Sequence, residues 1–550
     1  MYRMIAFYSV VYLVFLSWST ADAFLVGGPV NTTSGTVRGK ASSLRPDVSE
    51  YLGIPSLASD CPCNRIPMRQ AALGGPVGEK ITRALSQEDS ILDEDCLTIN
   101  VWSKPQQGEK KKAVLFWIYG GGFAIGSASS PVYDGSILAD ENDVVVVSFN
   151  YRLNIFGFSG APGQPWNVGL LDQRLALEWT RDNIARFGGD PARITVFGQS
   201  AGGLSTDFMA YSYPDDPIAH ALIAHSGVAS SSLSIAPKKS DLQKTWYNVS
   251  SGLGCGGAEA GEQTVACMRS KSQDELLAAI EPLTTGGMVG GFTPVGDGQV
   301  IPKDIAGAGD AGNFARIPFM TGNTDNESGF FLITALAYTN LTAEQVAAIP
   351  MNLIRPLGNI LTLAGFTCPA AEAAGYRLAH RVPAWRYRYY GGNYSNTYIV
   401  PVGSAYHTSE LLPLFGTAPT VTGVKDTWYE AEAAAYMRNA WATFAKNPAT
   451  GLSSEFRWPK FKPLTRSEVQ LSLDKQTEAT FIFNEETDVF CPILKFYAGI
   501  FADIMRIFSR LGDGDNALGG DLLGILKNPL QNGNTLRDAL DRLSALASGF

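Results

Sequence analysis

A serine set between two glycines is the feature of this 550-residue sequence that most directly indicates chemistry. Ser200 is the centre of Gly198-Gln-Ser-Ala-Gly202, and the β-branched and aromatic run 194–197 precedes it. When a strand turns sharply into a helix, the serine hydroxyl is lifted out of the sheet, and flanking glycines let neighbouring backbone pass closely. We therefore predict that Ser200 is a nucleophile on a strand-to-helix turn. The N–H group of Ala201 would lie at the helix N-terminus, where it can stabilise an oxyanion.

A glycine-rich loop upstream of Ser200 could supply further oxyanion donors. The apolar run 114–118 is typical of a buried strand, and it leads into Gly120-Gly-Gly122. Glycines have no side chains to shield their N–H groups, so this backbone can direct donors into a cavity. The alternative is a flexible loop in which the glycines only form turns. We predict an oxyanion hole formed by the N–H groups of Gly121, Gly122 and Ala201.

A serine nucleophile needs a base, and the sequence contains only four histidines. His220 and His225 belong to a strand-like run after the expected elbow helix, so we interpret them as core or strand-end residues. His380 lies at an expected helix end, where a partly exposed histidine is ordinary. His407 follows the strand-like run 384–390 and a polar loop, which is where a base is expected. We therefore predict that His407 is the base.

The carboxylate that orients the base should lie between Ser200 and His407, because the chain order in such sites is serine, acid, histidine. The loop 320–329 follows a short apolar run and carries both Asp325 and Glu327. A loop carboxylate is commonly only solvated, but two acids between glycines at this point in the chain indicate a functional loop. Residue types and spacing leave Asp325 and Glu327 as equal candidates.

Together these segments resemble the type-B carboxylesterases, the cholinesterase-like branch of the α/β-hydrolases, and above all their secreted fungal esterase and lipase members. The resemblance covers residues 25–490. It implies an α/β-hydrolase fold in a single domain, residues 24–490, with a large central, mostly parallel β-sheet flanked by helices. The matching segments are 35–39, 94–101, 120–122, 150–152, 169–174, 187–191, 198–202 and 407–410.

The resemblance also assigns roles to residues. It identifies Glu327 as the acid of a triad with Ser200 and His407, and it pairs Glu94 with Arg152 in a structural salt bridge. The activity that it implies is carboxylic ester hydrolysis through an acyl-enzyme intermediate, on a small-molecule or lipid ester. Neither a cofactor nor a metal ion is expected.

Two alternatives share the fold. A lipase would act on long-chain acylglycerols and use the loop between Cys61 and Cys96 as a lid, although Ala72-Leu-Gly-Gly75 in this loop offers little apolar surface. An adhesion protein would use the fold without catalysis, but such proteins typically lack a triad residue that this chain retains. Both remain alternatives to the carboxylesterase hypothesis.

The sequence departs from the cholinesterases where they bind choline. They use a tryptophan in the loop after the first of these cysteines to hold a quaternary ammonium group by a cation–π contact. Here, no aromatic residue occurs from Pro62 to Asp95, and Gln199 replaces the acidic residue that precedes the serine. We expect the cation site to be missing.

The N-terminus predicts secretion. Arg3, an apolar stretch to Trp18 and the small-residue site Ala21-Asp-Ala23 form a signal peptide, residues 1–23, with a signal anchor as the alternative. The net charge of −9 argues against nucleic acid or an anionic membrane as a partner. No later run of 18 or more apolar residues occurs, so stable membrane insertion is not expected.

Secretion predicts glycosylation and disulfides. Asn326 adjoins the expected catalytic acid, so we expect it to be buried and unmodified. The sequons are Asn31, Asn248, Asn326, Asn340 and Asn393. One of the seven cysteines must remain outside a disulfide. The pairs, of which the first two follow from the resemblance, are Cys255 with Cys267, Cys96 with Cys61 or Cys63, and Cys368 with Cys491.

The chain continues beyond the end of the resemblance as residues 491–550. Apolar residues at 493, 497, 500, 504, 508 and 511 have helical spacing. We expect a helical C-terminal extension that packs on the core. A role in forming a homodimer or in contacting a lipid interface is the alternative.

Overall fold

The structure is a computed structural model. The expected signal peptide, the sequon at Asn340, residues 64–74 and 87–89 of the expected lid segment, and nearly all of the expected C-terminal extension lie outside the residues that it describes. The described residues are 25–54, 60–63, 75–86, 90–106, 111–231, 238–283, 291–331, 351–399 and 403–492.

The strands form a small hairpin and one large sheet. The hairpin joins β1 to β2, and the eleven-stranded sheet has the order β13-β12-β11-β10-β9-β8-β6-β7-β5-β4-β3. The strands are β1 (Val30–Thr32), β2 (Gly35–Val37), β3 (Lys40–Ala41), β4 (Ser49–Ile54), β5 (Ile99–Ser103), β6 (Lys112–Ile118), β7 (Val145–Phe149), β8 (Gly189–Gln199), β9 (Ala221–His225), β10 (Phe319–Thr324), β11 (Ala384–Tyr389), β12 (Glu468–Leu471) and β13 (Thr480–Ile482).

Helices cover the sheet. A π-helical turn, Leu363–Thr367, separates α10 from α11. The helices are α1 (Gly75–Ser86), α2 (Ser136–Asn142), α3 (Asn154–Gly157), α4 (Val168–Asn183), α5 (Ala201–Ser212), α6 (Lys239–Gly252), α7 (Gln263–Met268), α8 (Gln273–Ile280), α9 (Ile305–Ala311), α10 (Met351–Thr362), α11 (Cys368–Ala379), α12 (Leu411–Phe415), α13 (Ala418–Thr422), α14 (Trp428–Lys446), α15 (Gly451–Glu455) and α16 (Glu485–Asp488).

The middle of the sheet is parallel, from β7 through β6, β8, β9, β10 and β11 to β12, and both flanks are antiparallel. The central strands β6 and β7 are buried along their whole length. Strands covered on both faces have near-continuous apolar sequences, as these two do, because no side of the pleat meets water. The α/β-hydrolase prediction is confirmed.

The parallel register brings several loops to one edge. Phe197 of β8 pairs with Ile223 of β9, and Thr321 of β10 pairs with Ala224 of β9. The carboxyl ends of β8, β9 and β10 therefore meet, and Ser200, Ser226 and the loop with Asp325 follow them directly. In open α/β sheets this is the edge at which ligands bind.

Three disulfides form, and Cys63 is the cysteine left over, with a buried side chain. The structure selects Cys61 over Cys63 as the partner of Cys96, with the two Cα atoms 4.8 Å apart. The other two expected pairs are confirmed. Each such bridge typically contributes about 2–4 kcal/mol.

The expected salt bridge between Glu94 and Arg152 is wrong. Arg152 instead binds Asp172 of α4 in a bidentate geometry, with Nη2 2.6 Å from Oδ1 and Nε 2.8 Å from Oδ2. The backbone N–H of Arg152 also donates to Asp172. Asp172 is buried and satisfied by these donors, whereas Glu94 is exposed to solvent.

Among the described residues, no helix is long and apolar enough to cross a membrane.

Candidate active site

Ser200 occupies the turn between β8 and α5. Its φ of 59° and ψ of −123° are unusual for a residue with a side chain and cost conformational energy. The turn is held from both sides, because Ser200 N–H donates to the carbonyl of His225 at 2.9 Å and the Ser200 carbonyl accepts from Leu204 at 2.9 Å. A Cβ atom on Gly202 would lie 2.0 Å from the Ile118 carbonyl oxygen. Only glycine fits there.

The Gly120–Gly122 loop lies against this turn. A Cβ atom on Gly120 would lie 2.5 Å from the Gln199 carbonyl oxygen and 2.8 Å from Ser200 Cβ. Gly121 and Gly122 have φ angles of 113° and 63°. In the described part of the chain, the N–H groups of these two glycines donate to no backbone carbonyl. Ala201 is the first residue of α5, so its N–H has no partner within the helix.

His407 and Glu327 are in direct contact. His407 Nδ1 lies 2.5 Å from Glu327 Oε2. The other carboxyl oxygen of Glu327 accepts hydrogen bonds from Ser226 Oγ at 2.7 Å and from Thr324 N–H at 2.5 Å. A parallel bridge between Asn326 and Tyr406 aligns the two loops. The Glu327 carboxyl group is thus held by three donors in a fully buried position.

The second ring nitrogen of His407 faces the end of β8. Because a carboxylate only accepts hydrogen bonds, Nδ1 is the donor in this contact, and in the neutral imidazole Nε2 then carries the lone pair. Gln199 Nε2 lies 3.1 Å from His407 Nε2. Among the described contacts, the Ser200 hydroxyl forms no hydrogen bond with His407, although Ser200 is the next residue after Gln199. Such bonds often tighten only when substrate is bound.

The structure distinguishes the two candidate acids. Asp325 is partly exposed, and its Oδ1 accepts a hydrogen bond from Arg388 at 3.4 Å. Its backbone N–H donates to the carbonyl of Tyr389. Although Asp325 and Glu327 are two residues apart, only Glu327 reaches His407.

The other three histidines lie outside this constellation, as their sequence contexts predict. His225 ends β9 in the core, and burial lowers its pKa to about 3. His220 bonds the carbonyl of Ile194 beside the start of β9, and burial lowers its pKa too. His380 follows the last residue of α11 and contacts the carbonyl of Asp310.

Several neighbours of His407 escape sequence reasoning. The rings of Phe331 and Phe366 lie 4.9 and 5.3 Å from its imidazole. Phe366 belongs to the π-helical turn, an irregularity that often occurs at functional sites. Ser226, which bonds Glu327, follows β9 with a φ of 49°. Only Ser226 had a usable signal, because it comes directly after a strand that borders the elbow.

The chain is similar to several known ester hydrolases. The model of the carboxylesterase family matches residues 28–355. A chlorogenic acid esterase of Aspergillus niger is 32% identical over 485 residues, which cover 81% of this chain and 90% of that protein. Secreted lipase 5 of Gibberella zeae is 30% identical over 507 residues, covering 82% and 91%. The acetylcholinesterase of Electrophorus electricus is 38% identical over 251 residues, covering 44% and 39%.

The chain therefore belongs to the carboxylesterase family. It is a carboxylic ester hydrolase.

Proposed function

We propose that this protein hydrolyses carboxylic esters through a covalent acyl-enzyme formed on Ser200, with His407 as the base and Glu327 as the orienting acid. The observation that carries the proposal is the 2.5 Å contact between His407 Nδ1 and the buried Glu327 carboxyl group. This contact leaves the Nε2 lone pair directed towards the end of β8, where Ser200 lies.

In the first half of the reaction, His407 Nε2 takes the proton of the Ser200 hydroxyl as Oγ attacks the ester carbonyl carbon. The carbonyl oxygen becomes an oxyanion, which accepts hydrogen bonds from the N–H groups of Gly121, Gly122 and Ala201. The loss of one such donor typically removes about 3–4 kcal/mol of transition-state stabilisation. The tetrahedral intermediate then expels the alkoxide, which takes the proton from the His407 imidazolium and leaves as the alcohol.

In the second half, water replaces the alcohol. His407 takes a proton from the water as its oxygen attacks the acyl carbon, and the same oxyanion donors stabilise the intermediate. The carbon–oxygen bond to Ser200 breaks, Ser200 Oγ recovers the proton, and the carboxylic acid leaves. Throughout the cycle the Glu327 carboxylate stabilises the imidazolium and keeps the proton on Nδ1.

We propose that the substrates are small-molecule esters. The second candidate function is that of a lipase, which acts on long-chain acylglycerols. Phe331 and Phe366 form apolar walls beside the base, and they suit an acyl or alcohol part with aromatic or aliphatic surface. The similarity to a chlorogenic acid esterase favours the first class and that to a secreted lipase favours the second.

We also propose that the protein acts outside the cell. Three disulfides are typical of an oxidising compartment. The described sequons Asn31, Asn248 and Asn393 are exposed, so a glycan could be attached to each, whereas Asn326 is buried and bonded to Ser404.

The nucleophile is tested by labelling with a fluorophosphonate and peptide mapping. We expect one label per chain on Ser200, and we expect Ser200→Ala to abolish both labelling and turnover, apart from a residual ~10³–10⁴-fold catalysis over water. Ser205→Ala is a matched control, because Ser205 lies on α5, the helix that follows Ser200, and its hydroxyl accepts a hydrogen bond from Gln173 rather than from His407. A label on Ser205 or Ser226 would contradict the assignment.

The substrate class is tested with p-nitrophenyl esters from acetate to palmitate, with chlorogenic acid and with emulsified triglyceride. Soluble esters are expected to have the highest kcat/KM, and emulsification of triglyceride should not activate the enzyme. A sharp rise in rate on long-chain substrates above their solubility limit would favour the lipase.

A further inference from the structure

The side chain of Gln199 occupies a position that the proposed reaction does not use. Gln199 is the last residue of β8, is 1% exposed and places its amide nitrogen 3.1 Å from His407 Nε2. Its Oε1 faces the other way, 3.0 Å from the position that a Cβ atom on Gly120 would take. The amide is therefore packed between the Gly120–Gly122 loop and the His407 imidazole.

This contact uses the lone pair that the reaction needs. In the neutral imidazole, whose Nδ1 donates a hydrogen bond to Glu327, Nε2 can only accept, and the amide of Gln199 is the donor. A single lone pair cannot accept fully from Gln199 and from the Ser200 hydroxyl together. The two neighbouring side chains therefore compete for one atom.

We propose that Gln199 is a positioning residue that holds His407 in a resting arrangement and must release Nε2 before Ser200 can be activated. The inference rests on the proposed function, because it assumes that His407 is the base for Ser200. The rings of Phe331 and Phe366 pack at 4.9 and 5.3 Å from the imidazole and limit its movement. The part that moves is then the amide of Gln199 rather than the ring.

A first test removes the donor without changing the size of the side chain much. Gln199→Met cannot donate to Nε2, so Ser200 gains the lone pair in the free enzyme. The second-order rate constant for fluorophosphonate labelling and kcat/KM for p-nitrophenyl acetate should both rise by about two- to tenfold, the range expected for one neutral hydrogen bond.

Gln173→Met is the matched control. Gln173 is equally buried, and its amide donates to Ser205 on α5 at 3.0 Å, so this variant loses a similar bond that does not touch the imidazole. Its labelling rate should stay within about twofold of the native rate. An equal acceleration in both variants would show that loosened packing is the cause and would overturn the proposal.

A second test replaces the neutral amide by a charge. In Gln199→Glu the carboxylate cannot donate to Nε2 but accepts from the imidazolium, so it favours protonated His407. The acid limb of the kcat/KM profile should move to higher pH by about one unit, whereas Gln173→Glu should leave this limb unchanged. An unmoved limb in Gln199→Glu would mean that residue 199 does not reach the imidazole. This readout remains valid if Gln199→Met does not fold.

The outcomes separate the two proposals. If the native enzyme does not label at Ser200, the proposed function itself is wrong. If Ser200 labels normally and folded Gln199→Met reacts no faster than the native enzyme, only the restraint by Gln199 is overturned.

Discussion

Two histidine–glutamate pairs lie in the same core, His407 with Glu327 and His225 with Glu410, and their hydrogen bonding differs. His407 Nδ1 is 2.5 Å from Glu327 Oε2, whereas His225 Nδ1 is 3.9 Å from Glu410 Oε1. Burial does not distinguish them, since Glu327 is 0% and Glu410 1% exposed. The difference is in the hydrogen-bond donors around each carboxyl group.

Three donors reach Glu327, but in the described structure neither carboxyl oxygen of Glu410 has a hydrogen-bond partner. Burial, together with the charge of Glu327, raises the pKa of Glu410 well above its usual 4.5. Burial lowers the pKa of His225 to about 3. The surroundings of His225 and Glu410 thus disfavour the charged form of both groups. The comparison teaches that donors, rather than depth, prepare a carboxylate for catalysis.

The largest difference in kcat is expected between substitutions of His407 and of His225. His407→Gln removes the proposed base, so kcat should fall by roughly 10⁴-fold or more. His225→Gln should keep kcat within about tenfold, because the hydrogen bonds that the described structure gives this ring join it to Tyr387 and Trp441 in the core and not to Ser200. Steady-state kinetics on p-nitrophenyl acetate with folded variants measures both. If His407→Gln kept its activity, His407 would not be the base, and the proposed functional difference between the two histidines would be wrong.

The second largest difference in kcat is expected between substitutions of Glu327 and of Glu410. Glu327→Gln leaves the His407 proton without a charged acceptor, and we expect kcat to fall by roughly 10³–10⁴-fold. Glu410→Gln and Asp325→Asn should each remain within about tenfold of the native kcat, since neither side chain forms a hydrogen bond or ion pair with His407 among the described residues. Asp325→Asn is the closer control, because it changes an acid in the same loop. A collapse of activity in Asp325→Asn but not in Glu327→Gln would reverse the assignment of the acid.

A smaller effect concerns stability and pH. Because the pKa of Glu410 is raised on folding, the native state keeps a proton that the unfolded chain releases above pH 4.5. The stabilisation is complete below that pH and is lost as pH rises towards the folded pKa. Glutamine cannot ionise, so the stability of Glu410→Gln relative to the native protein should increase as pH rises from 4.5 towards the folded pKa, by at most about 1.4 kcal/mol per pH unit.

Denaturation with urea at each pH measures this difference. Above pH 6.5, His225 contributes nothing to the slope, because its lowered pKa affects stability only as pH falls below its usual 6.5. The slope for His225→Gln should therefore parallel that of the native protein. Equal slopes for Glu410→Gln and the native protein would show that Glu410 is ionised in the folded state.

The smallest effect is a preference that we expect to be missing. The neutral side chain of Gln199 lies beside His407. No aromatic residue occurs from Pro62 to Asp95 to hold a quaternary ammonium group. Such a cation–π contact is worth roughly 0.5–2 kcal/mol. The kcat/KM values for butyrylthiocholine and its neutral tert-butyl isostere should therefore agree within about tenfold. A strong preference for the cation would reveal a site built from other segments.

Much of the candidate site can be predicted from short stretches of sequence. The strand-to-helix turn at Ser200, the glycine loop and the contexts of the four histidines are local patterns, because glycines permit sharp turns and close backbone approaches, and apolar runs favour buried strands, at the positions where they occur. The choice between Asp325 and Glu327 had no local basis, since both are acids in one loop. The resemblance named Glu327, and the fold brings it, and not Asp325, against His407.

The remaining differences follow the same division. The sequence by itself determined that the runs 114–118, 194–197 and 384–390 form strands, where the turn at Ser200 falls and which family the chain resembles. Tertiary structure alone decided that Arg152 binds Asp172 instead of Glu94, that Cys96 joins Cys61, and that Gln199 meets His407. Local conformation depends on neighbours in the chain, whereas these contacts join residues that become neighbours only when the parallel strands set their register and bring distant loops to one edge.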